Sequence, residues 1–317
     1  MSPREVKQRF SGIDLDVWND LNSFFPVRVT RSWMDRVLTP EGPLGLQVFP
    51  DASELVSDPE DVTDPVGEEQ RMPVPWVVQK HPDRALLLVT RRCHLHCRYC
   101  FRRDLDGPPD PTSAELSNAL DYLRNSGVHE VILSGGDPLI LRSDRLMHVI
   151  DSLRPHVPQI RIHSRAPVTH PQRVDDELVE GLRARIPVWL VIHVNHPREL
   201  SDEVCAGLCR LVDAGVPLVN QSVLLRGVND DPDVLADLNR RLVGLRVKPY
   251  YLHHPDAVPG GAHFRVTVEE GLAIYRALRN KVSGIALPQY VIDPPDGTGK
   301  VPVAEWAARP VPLAERR

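Results

Sequence analysis

From Arg84 onward the chain repeats one pattern: a short β-branched or leucine-rich run, a turn, then an amphipathic stretch. The runs Ala85–Thr90, Glu130–Ser134, Ile160–His163, Val188–His193, Leu218–Leu225 and Val247–Leu252 have the length and composition of buried strands. The stretches between them have readable helix ends. Ser113 with Leu116, Leu120 and Leu123 precedes a stop at Gly127, and Glu199 to Ala214 stops at Gly215. Further on, Thr267 and Glu270 stand at capping-box spacing and open a helix towards Lys281. A strand over Ala286–Ile292 and a Gly/Pro-rich loop over Pro294–Gly299 follow. Strands that alternate with helices run parallel with right-handed crossovers, so the pattern predicts an α/β sheet, either open and doubly wound or curled into a closed or partial barrel.

The region 1–80 reads differently. Trp18, Phe24, Phe25 and Trp33 sit in short helical pieces, and Pro50–Pro75 is acidic, proline-rich and aperiodic, which predicts a helical N-terminal region with a wrapping loop. The chain thus divides into 1–80, a βα-repeat region 81–265 and a C-terminal segment 266–317.

At 317 residues one barrel-sized domain is expected. The net charge of −5 and the lack of a basic block exclude nucleic acid as an expected partner. The opening MSPREVKQRF is polar and apolar runs such as Ile186–Ile192 are too short to cross a bilayer, so a cytoplasmic protein with no membrane partner is expected. Only five of the 38 basic residues are lysines, namely Lys7, Lys80, Lys248, Lys281 and Lys300. The five cysteines are an odd number, which suits metal ligation in a reducing compartment better than a disulfide framework.

Three of them form Cys93-His-Leu-His-Cys97-Arg-Tyr-Cys100 directly after the first repeat strand. Three thiolates on one loop can bind three irons of a 4Fe-4S cubane and leave the fourth iron open, as a substrate-activating cluster requires. A zinc site with His94 or His96 as fourth ligand is the alternative. The CxxxCxxC spacing with an aromatic before the last cysteine resembles the signature of the radical S-adenosylmethionine (SAM) superfamily. That resemblance implies a partial (β/α)6 TIM-like radical SAM barrel in which SAM binds the open iron. It also places Gly135, Gly136 and Asp137, in Ser134-Gly-Gly-Asp-Pro138 at a strand's C-terminal end, at the methionyl amino group. His193 and Gln221, within His193-Val-Asn-His-Pro and Asn220-Gln-Ser-Val-Leu-Leu-Arg-Gly-Val-Asn, resemble further SAM contacts.

These strings, with Asp293-Pro-Pro-Asp-Gly-Thr-Gly-Lys300, are similar to the lysine 2,3-aminomutase family. A glycine-flanked loop can deliver a desolvated amine able to form a Schiff base. The resemblance implies that Lys300 carries pyridoxal phosphate (PLP), with Arg84 at its phosphate. It implies that Asp256 and Asp293 bind a lysine ε-ammonium and Arg102 the α-carboxylate. The reaction implied converts L-lysine to β-lysine: a 5′-deoxyadenosyl radical abstracts hydrogen and the amino group migrates from C2 to C3. Arginine or glutamate aminomutation and a PLP-independent radical SAM reaction are the enzymatic alternatives, and a zinc-binding module the non-enzymatic one. The larger family members have a longer, cysteine-bearing C-terminal segment, whereas this chain ends at Arg317. Cys-Arg-Tyr-Cys-Phe-Arg-Arg, Arg161-Ile-His-Ser-Arg165 and Gly261-Ala-His-Phe are similar to the short aminomutases that serve elongation factor P. The partners implied are an amino acid substrate, a flavodoxin or ferredoxin reductant, elongation factor P and a second copy of the chain. Cys205 and Cys209 match nothing in the family and are expected as core thiols.

Overall fold

The computed structural model describes residues 6, 8–10, 14–56, 58–103 and 108–309. Most of the opening decapeptide and the end of the segment 266–317 lie outside the described residues. Nine strands form one sheet in sequence order: β1 (Val77–His81), β2 (Arg84–Thr90), β3 (Glu130–Gly135), β4 (Gln159–Ser164), β5 (Val188–His193), β6 (Leu218–Val223), β7 (Lys248–His253), β8 (Gln289–Ile292) and β9 (Val301–Pro302). Neighbours from β2 to β8 pair parallel, while β1 and β9 close the two edges antiparallel. The six expected βα strands are β2 to β7, and β8 is the expected seventh.

The helices between them begin and end on the chemistry of their caps. Thr112 and Glu115 form a capping box before Ser113–Asn125, and Thr267 and Glu270 form the expected one before Val268–Arg279. Ser201 caps Asp202–Asp213, within the expected Glu199–Ala214 span. Strand alternation then separates two faces. Val131, Leu133, Ile160, Ile162, Val188, Leu190 and Ile192 pack in one core with Leu120, Leu123, Leu146, Ile150, Leu178, Leu182, Leu208 and Leu211 of the covering helices. The other face of the strands carries Arg161, His163, His193, Gln221, Tyr251 and His253, in register across β4 to β7. A sheet with one polar face of this kind surrounds a ligand space rather than a packed apolar centre.

The two edges approach each other. Lys80 Nζ of β1 lies 3.8 Å from Asp293 after β8. A Cβ on Gly299, before β9, would sit 2.7 Å from the His81 ring. No β1–β9 pairing exists among the described residues, so the sheet is a partial barrel with a seam bridged by side chains and loops.

Within 1–80, the helices Leu15–Phe24 and Arg31–Arg36 bring Trp18, Trp33 and Met34 into the main core, and Phe25 is buried beside them. Phe24, by contrast, is 77% exposed. In the stretch from Asp58 to Pro75, Arg265 holds Asp58 and Asp61, and Val62 N–H donates to the Ala257 carbonyl. The region also contains most of β1, a strand that the expected helices and Pro50–Pro75 loop did not include. Val-Val-Gln-Lys-His is too short to show periodicity, and its pairing with β2 through a tight hairpin turn makes it a strand. Cys205 packs partly buried against the main core.

Candidate active site

Cys93, Cys97 and Cys100 lie on the loop that leaves the C-terminal end of β2. Burial raises Cys93 well above the usual thiol range, with Asp137, Cys100 and Cys97 adding to the shift. Burial and Cys97 likewise push Cys100 up to about 11. Cys93 and Cys100 thus lie within electrostatic reach of each other and of Cys97, and a metal bound there would have to displace the protons of these two raised thiols. Among the described residues no three or more His, Cys, Asp or Glu side chains are gathered so as to hold a single metal ion. His94 and His96, the candidate fourth zinc ligands, face the carbonyls of Leu139 and Pro26. The donor set is thus three thiols without a fourth protein ligand, which fits a 4Fe-4S cubane with one open iron.

The N-terminal region braces this loop. Arg98, fully buried between Cys97 and Cys100, donates to Glu54 at 2.9 and 2.6 Å and to the Phe25 carbonyl at 2.8 Å. Arg103 reaches the same carboxylate at 2.6 Å and the Arg98 carbonyl at 3.0 Å. Removing one partner of a buried charge set leaves the others uncompensated. Glu54→Ala should therefore lower unfolding free energy by about 3–5 kcal/mol, read from urea midpoints. A shift within error would show that the brace carries no stability.

At the end of β3, Gly135 has φ +115°, and a Cβ there would lie 2.2 Å from the Thr90 carbonyl oxygen. On Gly136 it would lie 2.3 Å from that of Arg92. Only glycine lets this turn pack against the start of the cysteine loop. The Asp137 carboxylate is fully engaged inside the protein. It accepts from Ser164 Oγ at 2.6 Å and from the backbone N–H groups of Leu139, Arg165 and Ala166 at 3.0, 2.9 and 2.8 Å. As placed, it joins the end of β3 to the end of β4. His193 lies beside Gln221 in register, with its Nε2 3.0 Å from the Tyr99 hydroxyl. Burial, helped by Arg165 and His253, holds its imidazole well below its ordinary pKa and hence neutral.

Lys300 enters from the other side of the sheet's mouth, with Gly299 before it at φ +77°. Its Nζ donates to Asp293 at 3.1 Å and lies 5.9 Å from the Tyr251 ring centre. Burial raises the Asp293 pKa, but Lys300 and Lys80 more than offset it, and the net shift is downward. Its Oδ1 is buried without a hydrogen-bond partner. For Asp256, burial comes first and Asp293 second, and together they push its carboxyl up to about 7 against Lys300, Lys80 and Arg102. Asp293 and Lys300 are thus paired directly, and Asp256 and Arg102 lie within electrostatic reach of this pair. Arg84 is less closely engaged: it pairs with Asp83 at 2.9 Å, and its Nη2 comes within 4.0 Å of where a Gly299 Cβ would sit.

Several residues beside these groups carried no signal in the sequence. Glu68 grips Arg102 with two bonds of 2.7 and 2.5 Å, and the other Arg102 nitrogen faces the Gly135 carbonyl at 3.2 Å. His163 is half-buried with its Nε2 enclosed and without a hydrogen-bond partner, and desolvation first, then Arg161 and Lys300, hold it neutral. The buried atoms His163 Nε2 and Asp293 Oδ1 make no hydrogen bond, though Lys80 faces the latter at 3.8 Å, and such atoms suit a site built for a polar ligand. Beside the seam, a groove of about 490 Å³ is lined by Arg71, Gln79, Lys80, His81 and Tyr122.

Residues 87–238 match the Radical SAM superfamily. Over 269 residues the chain is 45% identical to the L-lysine 2,3-aminomutase of Clostridium subterminale, covering 83% of this chain and 65% of that one. It is 40% identical to the glutamate 2,3-aminomutase of Clostridioides difficile, covering 82% of this chain and 63% of the relative. The L-lysine 2,3-aminomutase of Buchnera aphidicola subsp. Baizongia pistaciae is 34% identical, with 89% of this chain and 85% of the relative covered. Against several of these relatives, then, the chain spans about two thirds of their length. Among solved structures, Streptococcus suis SuiB bound to S-adenosylmethionine superposes with a TM-score of 0.52 at 12% identity, over 67% of this chain and 51% of that one. That likeness concerns the fold alone. A polar-faced partial barrel, a cysteine triplet at its mouth and relatives matched along most of their length lead to one assignment: the chain belongs to the lysine 2,3-aminomutase family of the radical SAM superfamily.

Proposed function

We propose that the chain is a PLP-dependent radical SAM 2,3-aminomutase that converts L-lysine to β-lysine. The observation that carries the substrate is the carboxylate pair Asp256 and Asp293, which feel one another and the Lys300 ammonium and, more weakly, Arg102. Lysine presents its ε-ammonium and its α-carboxylate at opposite ends, and these residues are the chemical complement of each. A glutamate side chain would place a third carboxylate against the first two, which argues against it as substrate. Asp293 already holds the Lys300 amine, and a substrate ε-ammonium is the same chemical group.

The residues fit the family's cofactors. Cys93, Cys97 and Cys100 would hold the 4Fe-4S cluster. The backbone of Gly135 and Gly136, with His193 and Gln221, would line the SAM site. Asp137 would act there by holding the turn, since its carboxylate is engaged. Lys300 would carry PLP, with Arg84 near its phosphate. When bound, the cluster and SAM supply the hydrogen-abstracting radical, and PLP supplies the conjugated system that lets nitrogen migrate. The chain's own residues bind and orient: the aspartates would hold the side chain, and Arg102, whose fork rests on Glu68, would hold the carboxylate beside the cluster loop by exchanging that partner. A low-potential flavodoxin or ferredoxin would deliver the electron. The strings around Cys97, Arg161 and Gly261 favour the short aminomutases, so product delivery to elongation factor P and self-association belong to this reading. Among the described residues no helix is long and apolar enough to cross a membrane.

Rates over a panel of lysine, arginine and glutamate test the substrate. Asp293→Asn should raise the lysine concentration for half-maximal rate about tenfold, the scale of one charge-assisted hydrogen bond of about 1.5–3 kcal/mol, and leave the cluster absorbance unchanged. Preference for glutamate in the wild type would overturn the assignment. The pH dependence follows from Asp256. Below about 7 it takes up a proton and the pocket loses a negative charge, so lysine binding should weaken as pH falls through that value. In Asp256→Asn this step should vanish, and an unchanged profile would contradict its origin in Asp256.

A further inference from the structure

Arg165 follows β4 and is buried, 9% exposed. Its Nη1 donates to Cys97 Sγ at 2.8 Å. Its Nη2 donates to Gln47 Oε1 at 2.6 Å and to Glu199 Oε2 at 3.1 Å. The guanidinium carbon lies 4.8 Å from the Trp33 ring centre and 5.6 Å from that of Tyr99. The holders are themselves held. Gln47 donates to Glu199 at 3.1 Å and accepts from Asn195 at 3.0 Å, and Asn195 also donates to Tyr99 at 2.7 Å. Glu199 accepts the backbone N–H groups of Asn195 and His196, both at 3.0 Å. The charge therefore has one position, against a single sulfur of the triplet. Burial alone would disfavour it, but Cys97, Tyr99 and Glu199 outweigh burial, so it stays protonated. Nothing in a substrate-binding or cofactor-anchoring role requires an arginine bonded to one thiol.

We propose that Arg165 sets the reduction potential of the cluster by holding a fixed positive charge and a hydrogen bond on the Cys97 sulfur. The inference rests on the reading of Cys93, Cys97 and Cys100 as cluster ligands. The step concerned is a one-electron reduction of the cluster by an external low-potential donor, before that electron passes to SAM. Added negative charge spreads over the cluster sulfurs and their thiolates, so a donor and a cation at one of them stabilise the reduced form. The low dielectric of the site and the rigid clamp enlarge the effect, since no reorientation is needed when the electron arrives. Arg165 is a positioning and tuning residue; it does not touch the substrate.

The test is a redox titration of the reconstituted full-length protein followed by electron paramagnetic resonance, with iron and sulfide content measured for each sample. Arg165→Met removes donor and charge at similar volume, and Arg165→Lys keeps charge but loses the forked clamp. Both should load iron and sulfide. Arg165→Met should shift the midpoint more negative by a tenfold loss of reduced-state stability, about 59 mV for one electron, and Arg165→Lys by less. A cluster-loaded variant that titrates at the wild-type potential overturns the proposal. If Arg165→Met fails to assemble, Arg165→Lys decides by the same criterion. A wild-type protein that binds no iron–sulfur cluster overturns instead the reading on which the inference rests, and the iron and sulfide content tells the two failures apart.

Discussion

Replacing Lys300 with alanine should remove covalently bound PLP and reduce turnover by roughly 10³-fold or more, the scale on which loss of a reacting group acts. The cluster absorbance should remain, because Lys300 and the cysteine triplet stand on loops from opposite edges of the sheet. The other described lysines are otherwise engaged. Lys80 is 9% exposed and tied to the Val66 carbonyl. Lys248 donates to Pro249 and Leu287, and Lys281 pairs with Asp233 at 2.7 Å. Among the described residues Lys300 has one ion-pair partner, the exchangeable Asp293, beside the Tyr251 ring, and a glycine before it that lets the chain turn inward. Borohydride reduction followed by peptide mapping should place the pyridoxyl group on Lys300. Label on Lys80 or Lys248 would contradict the assignment.

Any single change of Cys93, Cys97 or Cys100 to alanine should abolish reductive SAM cleavage. With three thiolates one iron is open; with two, a second iron loses its protein ligand and the cubane has no stable seat. Because the loop is braced by Arg98, Arg103 and Glu54, the variants should remain folded. Circular dichroism would establish that, and deoxyadenosine release under dithionite reports cleavage. Wild-type release by a cysteine variant would contradict the ligand assignment.

The candidate site residues stand out in the sequence because they cluster locally. Cys93 to Cys100, Ser134 to Pro138 and Asp293 to Lys300 are each short strings whose residue types make sense only together. The parallel strands were legible as well, since helix stops at Gly127 and Gly215 precede apolar runs. What was not legible depends on distance in sequence. Glu199 meets Gln47 across 152 positions, and Glu54 meets Arg98 across 44. In a chain of 26% charged residues such side chains look like any solvated surface. Glu68 was hidden in the same way: it sits in an acidic, aperiodic loop, and only the fold brings it onto Arg102. The strand β1 was missed because its stabilisation comes from β2 rather than from its own five residues. The motif Gly-Gly-Asp drew attention to Asp137, but pairing of its carboxylate with Ser164, Arg165 and Ala166 is a matter of tertiary packing.

Anaerobic reconstitution with iron, sulfide, SAM and PLP, followed by incubation with L-lysine isotopically labelled at the α-nitrogen, shows whether this chain moves that nitrogen to the β-carbon. β-Lysine is expected, with the label retained on C3 and none in the medium. Unchanged lysine, alongside isomerised arginine or glutamate under the same conditions, would contradict it.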